Sequence, residues 1–228
     1  MNGPFQGVVT LLEDVVYPRG HYAERACRAG AELLRQLLDV DVLDALSAYY
    51  VPGAEELAVR AALEEGFKSI DGRLVAKAAA AMSAHAPRLA PYEDAEEVFS
   101  MLQGMGMKLG LVADGPAASQ RQMVKHLKIG GIFDQVVYSG ELRGDRPLAD
   151  AIDMMELLLD CPLRNVAFVC SKAAQAKLAS GKVGRTFRVF RNAPTGNRQT
   201  GGLEYSAVIP MLNLYDLPEA LGLVAWPD

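Results

Sequence analysis

Gly7-Val8-Val9-Thr10-Leu11-Leu12-Glu13-Asp14-Val15-Val16-Tyr17-Pro18 is the stretch from which the rest of the chain can be read. Gly7 to Leu12 form a short, continuous, β-branched apolar run, the pattern of a strand buried on both faces of a parallel sheet. Glu13 and Asp14 stop the run, and Tyr17-Pro18 turns the chain away. Downstream, Lys108–Val112 reads as a second strand ending at Ala113-Asp114-Gly115, and Gln135–Tyr138 as a third. Asn165–Val169 reads as a fourth, ending at Cys170-Ser171-Lys172, and Thr186–Phe190 as a fifth. A last short strand is expected at Ala207–Pro210.

Helical periodicity fills the gaps. Helices are expected over 92–104, 118–126, 150–159 and 173–179, with a helical turn over 214–221. Strands alternating with helices imply βαβ units, a parallel sheet and right-handed crossovers. Between Arg19 and about Leu89 nothing reads as a strand. That stretch carries helical patterns over 21–38, 42–50, 54–67 and 75–84. The expected fold class is therefore α/β: a three-layer α/β/α core built from residues 1–18 and 90–228, with a helical subdomain, residues 19–89, inserted between its strands. The segment Asn192–Gly202, with a proline and three glycines, reads as a loop.

Composition narrows the function classes. The chain has 228 residues, 50% hydrophobic and 22% charged, ordinary for a globular protein with a real core. A net charge of -5 argues against a nucleic-acid or anionic-membrane partner, since both require a basic field. The three cysteines, Cys27, Cys161 and Cys170, are far apart and odd in number, which argues against a disulfide framework or a zinc site. His21, His85 and His126 are equally scattered. No leader pattern opens the sequence and no apolar run is long enough to span a bilayer, so a cytoplasmic location is expected.

In an open α/β sheet, ligands bind at the carboxyl ends of the strands. Those ends carry a resemblance to the haloacid dehalogenase superfamily. That family begins with a strand and the pattern D-x-D-x-T, in a related run DLDDTLYP; here Leu11-Leu12-Glu13-Asp14-Val15-Val16-Tyr17-Pro18 stands in its place. The second family motif, a Thr or Ser often before Asp-Gly, matches Ala113-Asp114-Gly115. The third, a Lys before Pro, matches Arg146-Pro147. The fourth, an acidic pair in a run such as VGDNPxxD, matches Val169-Cys170-Ser171-Lys172, with Ala176 at the last acidic position. The helical block falls where many members insert a cap domain.

What the resemblance implies is a phosphohydrolase-type fold, and at these positions most of the family's catalytic residues are replaced. The family's first Asp is a nucleophile, and Leu11 cannot serve as one. The second Asp is the general acid and base; Glu13 keeps a carboxyl with a longer reach. Ala113 lacks the hydroxyl that holds a phosphoryl oxygen, and Arg146 keeps the charge of the family's Lys in another shape. Mg²⁺ is expected of the family, but Leu11, Ser171, Lys172 and Ala176 supply none of the carboxylates it needs. A shifted register would make Asp14 the nucleophile, with Val16 at the acid position and the metal ligands still missing.

Structural roles stand beside the functional ones. Glu13 and Asp14 can close a strand, Asp114-Gly115 can form a turn before a helix, and Arg146 can make an ion pair. The residues left as ligand-binding candidates are Glu13, Asp114, Gly115, Arg146 and Lys172. Three functions remain open: a catalytically degenerate pseudo-phosphatase that binds a ligand or protein partner, a hydrolase of an unknown phosphorylated small molecule with Glu13 as base, and a structural or homo-oligomeric scaffold. With carboxylates lost and Arg146 and Lys172 present, the vacated site is expected to hold a small anion without metal, unless Glu13 pairs with Arg146 and closes it.

Overall fold

The computed structural model describes residues 5–50, 54–84, 90–191 and 208–223. The loop expected over 192–202 and His85 lie outside the described residues. The chain divides into two compact units, residues 1–17 with 90–228, and residues 18–89.

The first unit is built on a six-stranded parallel sheet in the order β3-β2-β1-β4-β5-β6. Its strands are β1 (Gly7–Leu11), β2 (Lys108–Ala113), β3 (Gln135–Tyr138), β4 (Val166–Cys170), β5 (Arg185–Val189) and β6 (Val208–Met211). β1 is central: Gly7 pairs with Lys108 on one side and with Val166 on the other. All five residues of β1 and all five of β4 are buried, as their unbroken apolar runs require of strands covered on both faces. Phe168 on β4 and Phe187 on β5 are among the largest fully buried side chains.

The helices of this unit are α5 (Glu93–Gly104), α6 (Ala117–Leu127), α7 (Pro147–Leu158), α8 (Ala173–Ala179) and the short α9 (Leu217–Ala220). Right-handed crossovers place α5 and α6 on one face of the sheet and α7 and α8 on the other. α7 starts at Pro147, three residues before the expected Asp150. Proline at the first helical position costs no hydrogen bond and has its φ already set for a helix.

The regular elements described in the second unit are all α-helices: α1 (Arg19–Leu38), α2 (Leu43–Tyr49), α3 (Glu55–Glu64) and α4 (Gly72–Ala84). Its core gathers Ala26, Leu34, Leu46, Leu63, Val75 and Met82. Gly30 lets α1 lie close to α4, for a Cβ there would come within 2.6 Å of Met82 Cγ. The outer face of α1 carries exposed Glu24–Arg28 and Glu32–Arg35 pairs, which contribute only tenths of a kcal/mol each.

No described helix is long and apolar enough to cross a membrane. The centre of the sheet sets a stability test. Phe168→Ala should cost about 3–5 kcal/mol through lost burial and a residual cavity, measured by urea unfolding of the two proteins.

Candidate functional site

The sheet pairing of β1 runs one residue past the strand: the Leu12 N–H donates to Val112 O at 3.1 Å. The chain then folds into a tight loop. Val16 N–H donates to Leu12 O at 3.1 Å, and Asp14 N–H to Tyr17 O at 2.8 Å. Asp14 has φ 59°, a left-handed conformation that Asp tolerates better than most side chains. Leu12, Val15, Val16 and Tyr17 are all buried, so the loop is packed in place.

This geometry separates the two registers. Leu11 occupies the strand end and is 1% exposed. Asp14 lies three residues further on, in the turn outside the sheet, where a nucleophile fixed by the strand end cannot be placed.

Glu13, 9% exposed, has a partner that the sequence did not suggest. Its Oε1 accepts a hydrogen bond of 3.0 Å from Gln120 Nε2 on α6. The same nitrogen donates to Asp114 O at 3.1 Å. Both partners are acceptors, so the amide orientation is fixed by chemistry. Gln120 is buried and its Oε1 has no hydrogen-bond partner.

Asp114 and Gly115 extend this network. Ser139 Oγ, just after β3, donates to Asp114 Oδ1 at 2.7 Å and accepts from Gly115 N–H at 3.2 Å. The turns touch here: a Cβ on Gly140 would lie 2.4 Å from Gly115 O. The ends of β1, β2 and β3 are therefore joined through Glu13, Asp114, Gly115, Ser139 and Gln120. Gln120 did leave a trace in the sequence. With Met123, Val124 and Leu127 it forms the buried i, i+3, i+4, i+7 face of α6, and a polar residue in that stripe calls for a buried partner.

The remaining positions are not drawn into this network. Ala113 is fully buried and offers only a methyl group. Arg146 caps the start of α7 and is exposed. Glu13, the expected alternative partner of Arg146, accepts a hydrogen bond from Gln120. Lys172 is exposed at the start of α8, its backbone N–H donating to Gln175 Oε1 at 3.0 Å. Ser171 Oγ is buried without a partner, while Ser171 O accepts from Arg188 Nε at 3.0 Å.

Of the charged groups at these strand ends, then, the two carboxylates Glu13 and Asp114 are tied into the network, and the cations Arg146 and Lys172 are at the surface. In the hydrogen-bonded part of the site the acceptors Glu13 Oε1, Asp114 O and Asp114 Oδ1 are met by the Gln120 amide and the Ser139 hydroxyl. The family's magnesium does not fit it, because a buried leucine, a serine and a buried alanine stand where its carboxylates would be. Among the described residues no group of three or more His, Cys, Asp or Glu is gathered to hold a metal.

Comparison with known proteins follows the same lines. The family model of the haloacid dehalogenase-like hydrolases matches residues 44–169, more than half of the chain. An (S)-2-haloacid dehalogenase of Pseudomonas putida is 28% identical over 92 residues, spanning 40% of this chain and 40% of that protein. Among solved structures, L-2-haloacid dehalogenase from Xanthobacter autotrophicus superposes with a TM-score of 0.63 at 22% identity, covering 96% of this chain and 100% of that one. A haloacid dehalogenase-like family hydrolase from Xanthomonas campestris superposes with a TM-score of 0.69 at 13% identity, covering 97% of this chain and 96% of that one. At these identities the structures share the fold.

Two outcomes follow from the geometry. Gln120→Leu removes the donor to a buried carboxylate and a buried carbonyl, and should cost about 1–3 kcal/mol in denaturant unfolding. Cys170, at the end of β4, is buried deeply enough to push its thiol up to about 12 from 9.0. Folded protein at pH 8 should therefore not react at Cys170 with a thiol reagent, whereas unfolded protein should. The sign for stability is that of a raised acid: the contribution is complete below the unfolded value and is lost as pH climbs from about 9 to about 12.

Proposed function

We propose that this chain, which belongs to the haloacid dehalogenase-like hydrolase family, has given up phosphoryl transfer and acts as a protein that binds a ligand or partner. The observation that carries the reading is Leu11, buried at the carboxyl end of the central strand where the family places its nucleophile. No covalent intermediate can form on a leucine side chain. Ala113 supports the same reading, since a methyl group cannot hold a transferring oxygen. The same strand end argues against nucleophilic attack on a haloacid, the substrate class named for the Pseudomonas relative.

A second reading, a hydrolase in which Glu13 activates a water, is favoured by one observation. Glu13 retains a carboxylate near the strand end, held by a donor from Gln120. A base needs its acceptor oxygen within reach of the proton it takes, and Gln120 already uses Oε1.

Purified protein assayed with p-nitrophenyl phosphate in Mg²⁺, and with 2-chloropropionate, should show no turnover above the uncatalysed rate. Leu11→Asp alone should not create activity, because Ala113 and Ser171 still lack the supporting groups. Turnover of either compound by the wild type overturns the binding-protein reading, and its loss in Glu13→Gln would then establish the second.

A further inference from the structure

Arg188 on β5 is half-buried, and its guanidinium is held from two directions. Its Nε donates to Ser171 O at 3.0 Å, across the end of the neighbouring strand β4. Its Cζ lies over the Phe190 ring, 4.3 Å from the ring centre. The β4–β5 register sets Arg188 beside Cys170, the last residue of β4, so it stands at the carboxyl end of the sheet. Nη1 and Nη2 meet no acceptor among the described residues. Other guanidiniums of this unit have theirs occupied. Arg121 binds Glu141 through Nε and Nη2, and Arg191 binds Asp94 and Val15 O through Nη1 and Nη2.

Engaging Nε leaves the end-on fork of the guanidinium, Nη1 with Nη2, which matches two oxygens of a carboxylate or a phosphate. The Nε bond and the stacking fix the plane in advance, so little side-chain freedom is left to lose on binding. Ser171, whose carbonyl receives the Nε bond, also carries a hydroxyl that is buried without a partner, a costly arrangement for a group able to donate. Lys172, next in the chain, is exposed and adds positive charge. Cys170 does not compete as a thiolate: burial pushes its thiol up to about 12 even with Arg188 beside it.

We propose that Arg188 is the recognition residue of an oxyanion site at the carboxyl ends of β4 and β5, taking the carboxylate or phosphate of a small molecule end-on through Nη1 and Nη2. Strand ends are where open α/β sheets place their ligands. Arg188 belongs to none of the four stretches that carry the family resemblance. It reaches Ser171, 17 residues away, through the β4–β5 ladder, and the site is built within the first unit alone. The inference rests on the reading of this chain as a ligand-binding protein and names the chemistry of the ligand. The two fail separately: turnover of a phosphoester would overturn that reading and leave an oxyanion on Arg188 untouched, whereas absence of oxyanion binding leaves Leu11 where it is.

The experiment titrates the full chain, labelled with ¹⁵N, with inorganic phosphate and separately with acetate, in EDTA and at constant ionic strength. Nuclear magnetic resonance follows the backbone amides and the arginine Nε–H groups. Saturable shifts are expected at the Ser171 and Lys172 amides and at Arg188 Nε–H, with a dissociation constant of about 1–10 mM. The anion that saturates at the lower concentration tells phosphate from carboxylate as the preferred group. Arg188→Lys keeps the charge and loses the fork, and should bind at least about tenfold more weakly. Arg188→Gln should abolish saturation, and the lysine variant carries the test by itself if the glutamine variant does not fold. Arg164→Gln, at an exposed arginine in the turn before β4, should bind as the wild type does. Absence of saturation with both anions overturns the proposal, as does equal affinity in Arg188→Lys. An equal loss in Arg164→Gln also overturns it, since that marks a general effect of charge.

Discussion

Strand β1 is hydrogen-bonded along both of its edges, to β2 on one side and β4 on the other, and the rest of the first unit depends on that double pairing. The ladders are parallel, so all strands present their carboxyl ends on the same side of the sheet. Three backbone turns are thereby brought together: the one after Leu11, the one after Ala113 and the one after Cys170. This convergence belongs to the backbone and does not depend on which side chains occupy the turns. The architecture therefore does not by itself decide the chemistry at the turns.

The residues at these turns agree with elementary energetics. A carboxylate at a fully buried strand end carries a desolvation cost unless a metal or donors offset it. Leu11 removes that cost and adds apolar burial of about 1.5–3 kcal/mol. Such exchanges fit the general opposition between active-site chemistry and stability. The buried pair of Arg191 and Asp94 is of another kind. An ion pair of this sort adds little net stability, yet removing one partner leaves an uncompensated buried charge.

The sheet and the helical stretch were legible in the sequence because each rests on local periodicity. The run Gly7–Leu12, the alternation of strands and helices after Lys108, and the lack of strand patterns between Arg19 and Leu89 all rest on neighbouring residues. The turns after Leu11, Ala113 and Cys170 were legible too, since they follow the strands directly. What escaped was long-range. Glu13 and its partner Gln120 are 107 residues apart, and Asp94 and Arg191 are 97 apart. No pattern within a helix or a strand records such pairs. Arg146 and Lys172, ligand-binding candidates by their motif positions, are exposed at the starts of α7 and α8.

Strand β6 has a property that bears on the protein's life in a crowded solution. Among the described residues it is the last strand of the sheet on its side, with Pro210 opposite Arg188 of β5. Met211 directs its carbonyl to Phe190, so the alternation along the strand turns Pro210 the other way, toward the outer edge. At that edge the ladder lacks a donor, and the rigid ring stands where another chain would approach. An incoming strand could not zip along β6 without leaving an acceptor unmet at its middle. A proline on an edge strand removes a ladder donor, which works against templated pairing with another chain.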